Sequence, residues 1–370
     1  MDEWPQHDPS PDDSVPDKAR KGRGAVSNRS GRYEPATRGL VDDGWGSAED
    51  EDAPPLRTTV SIDTARHVIT RNDSPDIGFD RSINPYRGCE HGCVYCFARP
   101  THAYLGLSPG LDFESRLFAK PDAAACLRAE LAKPSYRPRP IAFGTNTDPY
   151  QPLERKLRIT RQLFEVLAET KHPLTIVTKS DLVLRDLDIL VPMARDNLVS
   201  VALSITTLDG KLARVMEPRA AAPRRRMAAL EQLAKAGVPV SIMTAPLIPA
   251  INDHEMESLL EAAAKAGAQG AGYVLLRLPL EIKELFEEWL DAHFADRKKR
   301  VLDLIRQMRG GQLYDSRWGT RQTGEGPLAE LLRQRFKRAT RQFNLDSPRP
   351  PLDVMKFRAP PADSRQMTLF

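Results

Sequence analysis

"NPYRGCEHGCVYCFARP" (residues 84–100) places three of the four cysteines of a 370-residue chain, Cys89, Cys93 and Cys96, within eight residues. Four cysteines with three clustered do not make a disulfide framework; in a reducing compartment the cluster reads as a metal site. Gly88 and Gly92 allow the backbone to fold closely around a bound centre. A structural zinc closes four ligands, and His91, His102 or Cys126 would have to supply the fourth without a finger-like second pair. Cys126, in "DAAACLRAEL", reads instead as a small apolar residue buried on a helix. An iron–sulfur cluster held by three cysteines leaves one iron without a protein ligand, an open position for a substrate or cosubstrate.

Downstream, strand-like and helix-like segments alternate. A strand near "RSINPY" is followed by "PIAFGTNTD", "PLTIVTKS", "NLVSVALSITT", "VPVSIMTAPLIP" and "GAGYVLLRLP". Between them lie segments of helical spacing: "ERKLRITRQLFEVLAET", "LVLRDLDILVPMAR", "PRRRMAALEQLAKAG" and "DHEMESLLEAAAKAG". Gly237 and Gly267 stand where C-terminal caps belong. A long helical region from Glu284 to Met308 ends at Gly310-Gly311. Six βα units predict an α/β fold, a partial (βα)6 TIM-like barrel with parallel strands buried on both faces. In such folds chemistry sits at the carboxyl ends of the strands. The polar motifs "TNTD", "TKS", "SITT", "PAIND" and "RLP" all fall there, whereas the opposite junctions ("ETKHP", "KAGVP", "KAGAQ") are plainer.

Composition divides the chain further. Residues 1–58, rich in Pro, Asp, Gly, Arg and Ser, predict a disordered or extended N-terminal arm. The barrel is expected over 59–310, a helical basic extension over 311–345 and a proline-rich tail over 346–370. Net charge is only +4, but Arg297–Arg341 holds thirteen basic residues and four acids. A stretch of that sign suggests a phosphate-bearing partner such as DNA, with solvated helix faces as the plain alternative. No apolar run approaches the roughly 18 residues of a membrane span, and the acidic N-terminus lacks a signal-peptide core, so a cytoplasmic protein without membrane contact is expected.

At "CEHGCVYC" the sequence resembles the signature of the radical S-adenosylmethionine (radical SAM) enzymes, with Tyr95 as the aromatic before the third cysteine. The likeness narrows to the spore-photoproduct-lyase-like, DNA-repair-lyase branch through "GRGAVSNRSGRYEP", "TNTDPYQPLER", "TKSDLVLRDLDIL", "SITTLDGKLARVMEPRAAAPRRRMAAL", "APLIPAINDHEM" and "RLPLEIKELFEEWL". Together these cover roughly residues 21–320. The resemblance implies that Cys89, Cys93 and Cys96 hold a 4Fe–4S cluster whose open iron binds S-adenosylmethionine. It implies that Tyr95 contacts the adenine, that Thr147 and Asp148 lie near the methionine amino group, that Lys179 binds the methionine carboxylate and that Ser204 meets the ribose. An ammonium and a hydroxyl at strand ends suit a carboxylate and a sugar. Helix N-capping is the plain alternative for Thr147 and Asp148. The implied chemistry is reductive cleavage to a 5′-deoxyadenosyl radical, fed by a low-potential flavodoxin- or ferredoxin-type donor.

The chain departs from spore photoproduct lyase at "GTNTD", where Thr145 and Asn146 stand without the extra hydrogen-donor cysteine of that enzyme. Tyr104, Tyr150 and Tyr273 are the candidate substitutes. Glu217-Pro218 and Arg277 lie at site-facing ends without an assigned role. Gln366, Met367, Leu369 and Phe370 of the terminal "RQMTLF" resemble the peptide that binds the bacterial sliding clamp. Two other classes stay open at this point: the same chemistry on a small molecule or protein, and a non-catalytic zinc-bound nucleic-acid-binding module.

Overall fold

The computed structural model of the chain describes residues 18–34 and 56–360. The strands are β1 (Thr59–Ile62), β2 (Ile69–Arg71), β3 (Arg81–Ile83), β4 (Tyr86–Arg87), β5 (Arg116–Ala119), β6 (Ile141–Phe143), β7 (Leu174–Thr178), β8 (Val199–Ser204), β9 (Val240–Leu247) and β10 (Ala271–Leu275). Seven of them form one sheet in the order β10-β9-β8-β7-β6-β3-β2. Neighbours from β3 to β10 run parallel, and β2 alone is antiparallel, against β3. The six parallel strands are the six expected from the sequence. Helices Ile159–Glu169, Leu187–Arg195, Pro223–Lys235 and Met256–Lys265 connect them, giving the α/β partial barrel. A second sheet, β1-β5-β4, draws β4 and β5 from the long connection between barrel strands β3 and β6.

The burial pattern corrects one expectation. Leu174 and Ile176, Val199, Val201 and Leu203, and Val240 and Ile242 are sealed in one core with Phe164, Leu190, Leu230 and Leu260 of the outer helices. The alternate residues Thr175, Val177, Ser200, Ala202, Ser241 and Met243 are only half-buried. Because strand side chains alternate faces, this second set lines the lumen. β7, β8 and β9 are therefore sealed on the helix side and left partly accessible on the inside, whereas β3 and β6 are buried along their whole length.

Two helical expectations also change. The segment expected as one helix over 284–308 is two, Ile282–Phe294 and Lys298–Gln307. "ERKLRITRQLFEVLAET" breaks at Arg158, whose φ of 53° is left-handed. The expected caps hold: Gly237 and Gly267 have φ of 83° and 95° just past their helices.

The arm and tail are ordered wherever described. Residues 18–34 carry no helix or strand, yet Arg23 to Asn28 are buried. From 346 to 360 the chain runs along the sheet's amino end, where Asp353 N–H donates to the Asn197 carbonyl (2.9 Å) and Arg358 N–H to the Thr170 carbonyl (2.8 Å). The expected clamp peptide, Gln366 to Phe370, lies outside the described residues. Among the described residues no helix is long and apolar enough to cross a membrane.

The basic stretch is largely neutralised. Arg317 pairs with Asp315 and Glu325, Arg321 with Asp76, Arg335 with Glu257, Lys298 with Asp291, Lys299 and Arg306 with Asp303, and Arg333 with Glu330. Arg309 is buried and spends its guanidinium on the carbonyls of Leu276, Thr320 and Arg321. Arg321 and Arg335 thereby hold the extension to the barrel, and the other pairs reduce the charge that the stretch offers to a nucleic acid.

His172 at the sheet's amino end supplies a test of packing. It is fully buried, Nε2 accepts from the Tyr136 hydroxyl at 2.7 Å, and Phe357 of the tail meets the ring edge-on at 5.3 Å. Burial, aided by Arg81, brings its pKa down to about 4. The folded pKa lies below the unfolded value of about 6.5, so the stabilisation is full above that pH and is lost as pH falls towards 4. Stability should drop between pH 6.5 and 4.5, with His172 responsible for on the order of 2 kcal/mol. His172→Gln, which keeps an acceptor for Tyr136, should flatten the pH dependence of the urea midpoint. An unchanged slope would assign the acid sensitivity elsewhere.

Candidate active site

The cysteine loop follows β3 and β4 at the carboxyl end of the barrel. Cys89 and Cys93 are buried, Cys96 is half-buried, and all three are free thiols. Arg99 governs the loop. Its side chain has no solvent exposure, and all five N–H donors are used: Nε to the Cys93 carbonyl (2.9 Å), Nη1 to the Pro109 and Gly110 carbonyls (3.1 and 2.9 Å), Nη2 to the Gly92 carbonyl (3.2 Å) and to Glu114 Oε1 (2.5 Å). Glu114, equally buried, also accepts from the backbone N–H groups of Gly24 (3.0 Å) and Ala25 (2.8 Å). The arm is thereby pressed onto the loop. A Cβ on Gly24 would come 1.8 Å from the Gly92 carbonyl oxygen, so only glycine permits this approach. Gly92 itself has a φ of 65° and faces the Glu114 carboxylate.

Other elements brace the loop from the barrel side. Gln151 accepts from Glu90 N–H (2.9 Å) and donates to the Gly88 carbonyl (3.2 Å). Val94 N–H donates to the Met216 carbonyl and Arg219 N–H to the His91 carbonyl, both 3.2 Å. The Tyr95 hydroxyl donates to Glu217. Glu217 also accepts from Thr206 Oγ1 (2.9 Å) and pairs with the buried Arg226, which donates to the Ser204 carbonyl (2.8 Å). Tyr95, between the last two cysteines, is thus locked in place by an acid and a base that meet only in the folded chain.

The expected site residues separate into two groups. Lys179, just past β7, extends its ammonium over the Tyr95 ring, 5.7 Å from the centroid, and that ammonium makes no ion pair or hydrogen bond among the described residues. Burial opposes its charge, but Cys93 and Glu217 outweigh that and raise its pKa. Ser204 Oγ donates to the Ala245 carbonyl (3.3 Å) and Thr147 Oγ1 to the Tyr86 carbonyl (3.1 Å); each keeps acceptor capacity. Asp148 is different. Its oxygens accept from Thr178 Oγ1 (2.7 Å), Tyr150 N–H (2.8 Å) and Lys179 N–H (2.7 Å), and face His91 Nδ1 at 3.3 Å. Burial works against its ionisation, yet His91 and those donors bring its pKa down to about 2. These contacts tie the cysteine loop to the ends of β6 and β7.

The remaining candidates fall away from the loop or into its scaffold. Cys126 sits in the helix Ala123–Leu131 with Sγ on the Ala65 carbonyl. His102 is buried with Nε2 on the Arg116 carbonyl (2.9 Å). Tyr150 donates to Asp186, Tyr104 stacks on Tyr33 at the surface, and Tyr273 packs on Phe336. Arg277 lies over Phe97, the residue just after Cys96, 5.3 Å from the ring centroid. The sequence does not single out Arg99, Glu114, Gln151, Glu217 or Arg226 for these bracing roles. Their signal is faint: charged and amide residues embedded in otherwise apolar or glycine-rich text.

Fit to a metal centre follows from the thiols themselves. Burial pushes Cys93 up to about 12, opposed by Lys179 and aided by Glu217, and also raises Cys89 and Cys96. Three thiols so placed stay protonated unless a cationic centre deprotonates them, as coordination does. Among the described residues no three His, Cys, Asp or Glu side chains converge as a mononuclear ion demands. A cluster makes no such demand, because each thiolate takes its own iron. Three cysteine thiols on one loop are the donor type that an iron–sulfur cluster takes.

Truncating Arg99 tests the loop. Arg99→Met leaves Glu114 buried without its partner and should cost roughly 3–5 kcal/mol, read as a lower urea midpoint, together with loss of most bound iron. A variant retaining parental stability and iron would show that the loop holds its shape without this pair.

Comparison with known proteins agrees with the geometry. The profile of the radical SAM superfamily matches residues 83–263, from β3 through the helix after β9. An uncharacterized protein of Mycobacterium bovis is 38% identical over 231 residues, 62% of this chain and 68% of the relative, and one of Mycobacterium tuberculosis matches equally. An uncharacterized protein of Methanocaldococcus jannaschii is 29% identical over 47% of this chain and 62% of its own. Among solved structures, a point mutant of spore photoproduct lyase superposes with a TM-score of 0.54 at 18% identity, over 77% of this chain and 79% of that one. Spore photoproduct lyase complexed with dinucleoside spore photoproduct gives the same TM-score at 16% identity and the same coverage. At those identities the likeness shows the shared fold. With the three-cysteine loop, the six-stranded partial barrel and the matched sequence in agreement, the chain is an enzyme and belongs to the radical SAM superfamily.

Proposed function

We propose that the protein cleaves S-adenosylmethionine reductively and acts on nucleic acid. One observation carries the reading: three free thiols, two buried and one half-buried, share a loop at the carboxyl mouth of a parallel barrel, beside an ammonium with no ion-pair partner among the described residues. Cys89, Cys93 and Cys96 hold a 4Fe–4S cluster. Bound there, such a cluster supplies the electron that splits S-adenosylmethionine into methionine and a 5′-deoxyadenosyl radical. Lys179 neutralises the methionine carboxylate, and Ser204 accepts from a ribose hydroxyl. Tyr95, held by Glu217, presents its ring towards the adenine. Asp148 and Arg99 act through the loop, keeping it in register with the strand ends. The half-buried lumen below encloses the reacting groups and limits their contact with water.

Nucleic acid as substrate is supported by the fold shared with a lyase solved in complex with a dinucleoside. The segment "GTNTD" makes thiol-mediated hydrogen return unsuitable. Thr145 is held by Asn84 (Nδ2 to Oγ1, 3.2 Å), and the fourth cysteine, Cys126, lies on an outer helix. A lesion or modified base that does not need a cysteine donor fits this site.

Anaerobic reconstitution with iron and sulfide, then reduction with dithionite, tests the proposal. We expect about four irons per chain and 5′-deoxyadenosine formation, both lowered at least tenfold in Cys93→Ser. Lys179→Gln should raise the KM for S-adenosylmethionine about tenfold or more, with a smaller change in kcat, as loss of a charge-assisted contact predicts. A colourless zinc protein forming no 5′-deoxyadenosine would overturn the enzymatic reading. Ultraviolet-irradiated DNA that neither binds nor stimulates turnover would overturn the choice of substrate.

A further inference from the structure

Beside the cysteine loop lies a cavity of about 130 Å³ whose lining includes neither Lys179 nor Tyr95. Its wall includes His91 of the loop, Ser180 and Asp181 after β7, and three arginines from two further segments: Arg155, Arg219 and Arg225. The volume is well below the roughly 300 Å³ at which pockets for whole small-molecule ligands begin. It takes a compact group of a few heavy atoms and excludes a nucleoside.

The chemistry of the wall selects the group. Arg219 gives one edge to Glu90 (2.9 Å) and Arg225 one nitrogen to Asp181 (2.5 Å). Each guanidinium carries five N–H donors, so donors remain on both. Arg155 makes no ion pair and no side-chain hydrogen bond among the described residues, although Glu154 beside it is fully engaged by Arg185, Tyr86 and Thr160. Three planar, donor-rich cations around a small polar hollow match an oxyanion with several acceptors, as phosphate is. Most of the strongly basic run elsewhere is engaged in ion pairs, so the donors left on these arginines gather beside the mouth.

The position adds direction. Arg219 N–H holds the His91 carbonyl (3.2 Å) and Ala221 N–H the Lys179 carbonyl (3.2 Å), so the cavity's wall is continuous with the loops that carry Cys89, Cys93 and Lys179. We infer that this cavity anchors a backbone phosphodiester of a nucleic-acid strand, fixing the nucleotide whose base enters the barrel mouth. The inference rests on the nucleic-acid reading above and names how that substrate is held.

The probe is a fluorescein-labelled single-stranded thymidylate octamer, with inorganic pyrophosphate and thymidine monophosphate as separate competitors. The protein is the cluster-loaded full chain, parental and Arg155→Gln/Arg225→Gln, checked for equal iron content and melting temperature. The double variant should bind the octamer at least tenfold more weakly, and the slope of log K against log salt should shrink by about 0.7, one phosphate contact on a single strand. Equal affinity and slope in both proteins would overturn the inference. Octamer binding that is absent in the parent, with pyrophosphate or thymidine monophosphate binding that the variant loses, would overturn the strand as occupant and leave a phosphate site for a free nucleotide. Were the variant to keep every phosphate probe as tightly as the parent, the cavity would have no anion role, while 5′-deoxyadenosine formation would judge the radical reading separately.

Discussion

The buried Arg99–Glu114 pair is the interaction on which the rest of this site depends. A charge pair without solvent is costly unless every donor and acceptor is satisfied, and here the guanidinium has five partners and the carboxylate three. Those partners belong to three separate segments: the arm at Gly24 and Ala25, the cysteine loop at Gly92 and Cys93, and the turn at Pro109-Gly110. Loss of either charge would strand the other and release all three. The pair therefore sets the shape of the loop more than it adds to net stability.

A second buried network repeats the design on the barrel side. Glu217 and Arg226 meet beneath Tyr95, and Asp148 meets His91 and the Lys179 amide at the ends of β6 and β7. Between the two networks the loop that carries the three thiols is held from both flanks. Uncharged thiols beside an ammonium without an ion-pair partner among the described residues form a site that is incomplete by itself. A cationic centre completes the first and an anionic ligand group the second.

Much of this is legible in the primary structure. Six β-rich runs separated by helical spacing, with polar motifs at one set of junctions, specify a parallel barrel and the end where chemistry lies. Cysteine spacing and the aromatic at Tyr95 specify the loop. The arm misleads because its composition resembles that of disordered chain; its burial comes from glycines that permit backbone contact and from amides that satisfy Glu114, neither of which raises hydrophobicity. The basic run misleads for the complementary reason, since its acid partners Asp76, Glu257 and Asp291 lie outside it and only folding brings them near.

The sequence by itself determined the alternation of strands and helices, the mouth of the barrel and the three-thiol loop, because these rest on local spacing and side-chain type. Tertiary structure decided which charges are spent and which stay available. Asp148 took donors from the loops after β6 and β7, the Lys179 ammonium was left without an ion-pair partner among the described residues, and Arg155, Arg219 and Arg225 gathered around one small cavity. Ion pairs and buried hydrogen bonds join residues many tens of positions apart, so their pattern follows from distance in space and is invisible in spacing along the chain.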